Sequence, residues 1–244
     1  MTDQNPKMID SNIIDCIPQT GPCPLNCSEC YYNGGRFYRT LDSPLIPTLE
    51  EAKGKIVRVN SGHDSNLLTN EQLKLTSLYS DRYYNTSLPK LLFNAPTILT
   101  INGRDTDKTF YIAYSDILGE LDSLMSVRFR VNTWNLDLAE KAIRLWQDIT
   151  PIILTDMRYY GADNGVPPPS VKNPEDYVFG KHILNSYWKL NDCGKAKVME
   201  LLSYHNVFWE GNPFYGSTLC KDCRLCEHFY FIAKERLKHH GKLK

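Results

Sequence analysis

Five short apolar runs, each closed by turn residues, alternate with helix-patterned stretches through the first 160 residues, and few folds accept that order. The runs are "IIDCIPQ" (13–19), "GKIVRVNSG" (54–62), "KLLFNAP" (90–96), "SVRFRVNT" (126–133) and "TPIILTDMRYY" (150–160). Helices are predicted between them. "TNEQLKLTSLYSDRYY" opens on Thr69, a residue type that caps helix N-termini, and Leu136, Ala139, Ile143 and Trp146 keep helical spacing in "NLDLAEKAIRLWQDI". Parallel strands need long crossovers, usually helices, so the alternation predicts an α/β fold built on a parallel sheet or barrel. Two stretches break the rhythm. Residues 98–124 read as an extra strand or two with a short helix, and "GADNGVPPPSVKNPEDYVFG" (161–180) is a Pro/Gly-rich connection, either a lid or a plain surface excursion.

At 244 residues the chain can bury a substantial core in one main domain. Its 28 Lys plus Arg equal its 28 Asp plus Glu, so charge gives no reason to expect wholesale binding to nucleic acid or to an acidic membrane. No run approaches the roughly 20 apolar residues of a transmembrane helix, and the opening "MTDQNPKMIDSN" lacks the apolar centre of a signal peptide. The expectation is a soluble, cytoplasmic protein with no membrane partner. In that reducing compartment the eight cysteines, gathered at 16–30 and 193–226, read as metal ligands rather than disulfides. Cys16 stands apart and reads as a buried thiol.

"GPCPLNCSECYYNGG" (21–35) spaces Cys23, Cys27 and Cys30 as Cys-x3-Cys-x2-Cys on a loop directly after the first strand run. Three thiolates leave a tetrahedral zinc one ligand short unless Cys16 supplies it, whereas a four-iron cluster held by three keeps one iron open to another ligand. This motif at this place resembles the signature of the radical S-adenosylmethionine (SAM) superfamily. The resemblance implies a partial (β/α)6 barrel over about 1–180, and a [4Fe-4S] cluster on Cys23, Cys27 and Cys30 whose open iron takes the amino and carboxylate groups of SAM. It also implies reductive cleavage of SAM to a 5′-deoxyadenosyl radical, with electrons from a donor such as flavodoxin or ferredoxin. One departure is Glu29, which stands where the family usually has an aromatic residue.

Further parts of the resemblance assign residues at strand ends. In "NSGHDS", Gly62 and Asp64 fall where the family places a turn beside the SAM amino group, although an Asx turn closing the strand explains Asp64 equally. In "RVNTWN", Asn132 and Thr133 fall where the family holds the ribose. The family's Gly-rich adenine motif is not recognisable in "IILTDMRYYG".

Cys220, Cys223 and Cys226 in "TLCKDCRLCEHFYF", with Cys193 upstream, are enough to close a second metal site in a small cysteine-rich extension over 181–244. They resemble the auxiliary [4Fe-4S] ligands of SPASM or twitch extensions, and all-thiolate zinc satisfies the same spacing. The basic end, "AKERLKHHGKLK", reads as a solvated helix.

Side chains alternate across a strand, and here one side of each is polar. Val127, Phe129 and Val131 share one side and Arg128, Arg130 and Asn132 the other; Ile56, Arg58 and Asn60 share a side, as do Ile152, Leu154, Asp156 and Arg158. Inward-facing Arg58, Arg130 and Arg158 would line the barrel and demand an anion, which makes them candidate contacts to an anionic substrate. A peptide, a nucleotide or a small carboxylate all meet that demand. The expected function is radical SAM hydrogen abstraction; the alternative is a zinc-stabilised binding module using Cys16, Cys23, Cys27 and Cys30 as one site and the later four cysteines as another.

Overall fold

The computed structural model describes residues 5–25, 27, 43–60, 62–88, 90–91, 94–102, 118–160, 166–181, 187–211 and 219–242. A seven-stranded parallel sheet organises the chain, in the order β1 (Ile13–Cys16), β2 (Ile56–Val59), β3 (Arg82–Thr86), β4 (Thr97–Ile101), β5 (Leu124–Val131), β6 (Ile152–Asp156) and β10 (Val207–Trp209). Each strand is added on the same side of the last. With right-handed crossovers, a sheet wound in one direction collects its helices on one face.

That face carries α1 (Asn70–Ser77) and α2 (Leu136–Trp146). Thr69 caps α1 through a reciprocal pair with Gln72, as its sequence position predicts. Ala139, Ala142, Ile143 and Trp146 of α2 bury against Val127, Phe129, Val131, Ile152 and Leu154, and Leu73 of α1 packs on a neighbouring cluster containing Val57, Val59 and Tyr84. A three-stranded antiparallel sheet, β7 (Tyr159–Tyr160), β9 (Tyr187–Leu190) and β8 (Tyr177–Gly180), extends the same core through Tyr159, Tyr177 and Trp188. The helix α3 (Asp192–Met199) packs beside it, where Gly194 is obligatory: a Cβ there would lie 2.6 Å from the Asp176 carbonyl oxygen.

The opposite face is apolar near the strand starts and polar above. Ile13, Ile56, Tyr83, Ile98, Met125 and Ile153 are covered by Phe229, Tyr230 and Ala233 of the C-terminal helix α5 (Leu225–His239). Just before it, the single turn α4 (Cys220–Cys223) ends at Arg224, which takes a left-handed conformation at φ 50°. This segment ties both edges of the sheet together. Lys221 reaches Asp10 at 3.1 Å, ahead of β1, while the Gly211 N–H, just after β10, donates to Cys223 Sγ at 3.3 Å. Seven flat strands would separate those edges by about 29 Å, six spacings of about 4.8 Å, so the sheet is strongly curled.

Several expectations are corrected. "KLLFNAP" forms no strand among its described residues; the third strand is "RYYNT", which the sequence reading assigned to the tail of the preceding helix, and that helix ends at Ser77. The division at 180 does not separate two cores, because β10 completes the main sheet and α5 covers its face. Among the described residues no helix is long and apolar enough to cross a membrane.

Candidate functional site

The segment leaving β1 toward the first cysteines is held by side chains from the β2–α1 connection. Gln19 Nε2 donates to the Leu67 carbonyl at 2.9 Å, Gln72 Nε2 to the Pro18 carbonyl at 3.0 Å, and His63 Nε2 contacts the Gly21 carbonyl at 2.8 Å. Burial holds the His63 imidazole below its ordinary pKa. Cys23 and Cys27 follow, both half-buried, and Cys27 Sγ lies 3.9 Å from Ser87 Oγ. Gly21 and Cys27 are thereby placed beside the turns that follow β2 and β3. Cys30 lies outside the described residues.

Asp64 is the knot beneath this contact. Its Oδ1 accepts from the Asn66 N–H at 2.9 Å and Thr86 Oγ1 at 2.8 Å; its Oδ2 accepts from the Ser87 N–H at 2.6 Å and Ser87 Oγ at 2.9 Å. Four donors on a carboxylate only 3% exposed fill its capacity, so Asp64 orders the turns after β2 and β3. Gly62 is buried in the same turn.

The neighbouring asparagines are different. Asn85 Nδ2 donates to the Val59 carbonyl at 3.0 Å, which leaves Asn85 Oδ1 buried without a partner. Gln19, oriented by the Leu67 carbonyl, presents Oε1 to Asn60 Nδ2 at 2.9 Å, so Asn60 Oδ1 is likewise orphaned. Asn60 also sits at φ 53°, a left-handed conformation that asparagine tolerates better than most residues. At the end of β5, Asn132 Oδ1 accepts from the Trp134 N–H at 3.2 Å and its Nδ2 is an unpartnered buried donor, while the Thr133 hydroxyl accepts from Asn173 at 3.3 Å. The Tyr83 and Ser126 hydroxyls on the same face are also orphaned. Such a concentration of unmet polar atoms on one sheet face requires an explanation, and a bound ligand or water is the usual one.

The charges sort unequally. Arg58 does share the polar face, but Asp15 neutralises it, with Nε 2.6 Å from Oδ1 and Nη2 3.1 Å from Oδ2. Arg128 Nη2 approaches Cys226 Sγ at 3.8 Å, and Arg130 Nε lies 3.1 Å from Met157 Sδ. Arg158 does not join them. Ile152 and Leu154 face the helices, and Arg158 instead lies 3.7 Å from Asp156, 3.1 Å from the Tyr187 hydroxyl and 5.0 Å from the centre of its ring. Glu210, just after β10, was missed; a short "VFW" run is a weak strand signal, and only its pairing with β6 brings the carboxylate beside Thr155 Oγ1, at 2.7 Å.

The later cysteines divide too. Cys220 and Cys226 pack against the cluster beneath the polar face, and burial pushes the Cys220 thiol up to about 11 and raises that of Cys223. Cys193 is exposed on α3, beside the helix-side core, so the expected set of four does not assemble. Cys16 also belongs to the helix side, where burial pushes its thiol up to about 12. Among the described residues no three His, Cys, Asp or Glu side chains converge closely enough to hold a metal ion. No family model, curated protein or solved structure matches the chain.

Proposed function

We propose that the chain is a radical SAM enzyme, its curled parallel sheet forming the family's partial barrel. The observation that carries this reading is the contact of Cys27, a member of the Cys-x3-Cys-x2-Cys motif, with Ser87 just after β3, the strand that also bears the orphaned, buried Asn85 Oδ1. The chemistry of the donor set, three thiols of which Cys30 lies outside the described residues, suits the group. Cys23, Cys27 and Cys30 would hold a [4Fe-4S] cluster, and the Asn60 and Asn85 carbonyl oxygens offer acceptors to the SAM ammonium that the saturated Asp64 no longer has. Asn132 Nδ2 offers a donor toward the ribose, with Thr133 engaged by Asn173. When bound, cluster and SAM supply a carbon radical able to abstract hydrogen, fed by an electron donor such as flavodoxin or ferredoxin.

The chain's own contribution is order and exclusion. Asp64 fixes the two turns, His63 and Gln19 fix the segment that leads to Cys23, and α5 closes the apolar end of the face against water. A second metal, iron–sulfur or zinc, on Cys220, Cys223 and Cys226 would leave out Cys193 and need the three thiols to draw closer together than they stand. The zinc-module alternative is disfavoured because it needs Cys16, which faces the other way. The test is electron paramagnetic resonance of the anaerobically reconstituted, reduced chain. A four-iron signal that changes on adding SAM is expected; no such signal, or one indifferent to SAM, rejects the proposal.

A further inference from the structure

Ser87 follows β3 directly and is half-buried between two groups that the turns bring together, the Asp64 carboxylate and the Cys27 thiol. Its backbone N–H and its hydroxyl both donate to Asp64 Oδ2, at 2.6 Å and 2.9 Å. Its Oγ lies 3.9 Å from Cys27 Sγ, at the outer edge of hydrogen-bond reach for sulfur.

A hydroxyl has one proton and two lone pairs. With the proton on Asp64, Ser87 can turn only a lone pair toward Cys27, and a free thiol supplies the S–H that this arrangement needs. A thiolate bound to iron supplies none. The lone pair would then face a negative sulfur, so the hydroxyl is driven to rotate and give its proton to Cys27. Asp64 tolerates the exchange, because its Oδ2 keeps the Ser87 N–H and its Oδ1 keeps the Asn66 N–H and the Thr86 hydroxyl. Of the four donors on Asp64 among the described residues, the Ser87 hydroxyl is the one free to turn. The two N–H groups are fixed by the backbone. Thr86 Oγ1 accepts from Asn66 Nδ2 at 2.6 Å and from the Leu88 N–H at 3.0 Å, which occupies its lone pairs and points its proton at the carboxylate.

We propose that Ser87 is a positioning residue for the first cluster: with iron bound, its hydroxyl donates to Cys27 Sγ and holds the cluster's reduction potential up. The proposal rests on the radical SAM reading and concerns the electron-accepting step of that same site. In that step the cluster gains one electron from the flavodoxin- or ferredoxin-type donor, and no bond is made or broken. The added negative charge falls partly on the sulfurs. A hydrogen bond donated to one of them therefore stabilises the reduced cluster more than the oxidised one. Asp64 acts at one remove, by fixing the Ser87 backbone through its N–H.

The experiment is a redox titration of the anaerobically reconstituted chain, followed through the paramagnetic resonance signal that SAM perturbs, with bound iron measured in each preparation. At a fixed applied potential, Ser87→Ala should lower the ratio of reduced to oxidised cluster at least threefold. Ser87→Thr keeps the hydroxyl and should stay within twofold of the unaltered chain. A ratio unmoved in Ser87→Ala overturns the proposal. So does one lowered equally in Ser87→Thr, which would make Ser87 a packing residue of its turn. Should Ser87→Ala fail to fold or to take up iron, Ser87→Thr against Ser87→Val, alike in size and different in the hydroxyl, decides by the same threefold criterion. A SAM-responsive cluster whose potential ignores the hydroxyl sinks only this proposal. A chain that takes up no four-iron cluster sinks the radical SAM reading, and this proposal with it.

Discussion

Arg58 and Asp15 meet across β2 and β1 as a buried bidentate pair, Nε 2.6 Å from Oδ1 and Nη2 3.1 Å from Oδ2. The pair converts what the sequence presents as an unmatched inward arginine into a neutral cross-link between the first two strands. Removing one member of a buried pair leaves a charge with no partner, which costs about 3–5 kcal/mol. Asp15→Ala is therefore expected to lower unfolding stability by that amount in urea denaturation, and Asp15→Leu combined with Arg58→Met to recover most of it. A double variant as unstable as the single one would show that the pair does more than balance charge.

Asp64 makes a separable prediction. Asp64→Ala strands the Thr86 and Ser87 donors in a buried turn, at a cost of about 1–3 kcal/mol, and loosens the support of Cys27. Amide hydrogen exchange should rise at residues 64–66 and 86–88 and stay unchanged in β5 and β6. Uniform exchange throughout would mean that Asp64 supports the whole sheet rather than the two turns.

For Glu210 the pH dependence has a definite sign. Its carboxyl is held at about 2 in the folded chain against an ordinary 4.5, because the surrounding cations and Thr155 outweigh its burial. A depressed carboxyl contributes stability that is full above about 4.5 and disappears as pH falls toward 2. The stability difference between the unaltered chain and Glu210→Gln should shrink by on the order of 2–3 kcal/mol across that window. A difference that grows on acidification would contradict the charge assignment.

Gly194→Ala should destabilise by about 1–3 kcal/mol, since the new Cβ would press on the Asp176 carbonyl at 2.6 Å and on Leu190 Cδ2 at 2.9 Å. Thermal unfolding checks it, and an unchanged midpoint would mean that α3 shifts freely.

The strands that alternate strongly were legible in the sequence: "IVRV", "VRFRV" and "IILTD" all form, and Arg58, Arg128 and Arg130 take the face that the alternation assigns. Four strands were not, among them "YVFG", which ends a stretch that reads as a Pro/Gly-rich connection, and "YWKL". "RYYNT" continues a helical stretch without a breaker, and "VFW" is too short for a period to be read. Of the candidate site, local spacing reaches only the position of Cys23 and Cys27 in the segment after β1. The site was opaque where it depends on strand order: nothing local links Asp15 to Arg58, 43 residues away, or Thr155 to Glu210, 55 residues away. Arg158 failed for a related reason, since it follows the end of β6, where the alternation no longer governs its direction.

Cys16 and Cys27 give opposite expectations for metal content. Cys16→Ala should leave iron and sulfide unchanged, because that thiol is buried on the helix side; Cys27→Ala should remove the first cluster's share, about four irons per chain. Loss of metal from the Cys16 variant would make it a ligand and revive the zinc-module reading.

The central claim is tested most directly by one assay, formation of 5′-deoxyadenosine from SAM by the reduced, anaerobically reconstituted chain. The expected result is 5′-deoxyadenosine that accumulates with the unaltered chain and is absent with Cys27→Ala. A chain that holds zinc and no acid-labile sulfide, and forms no 5′-deoxyadenosine under reduction, would contradict it.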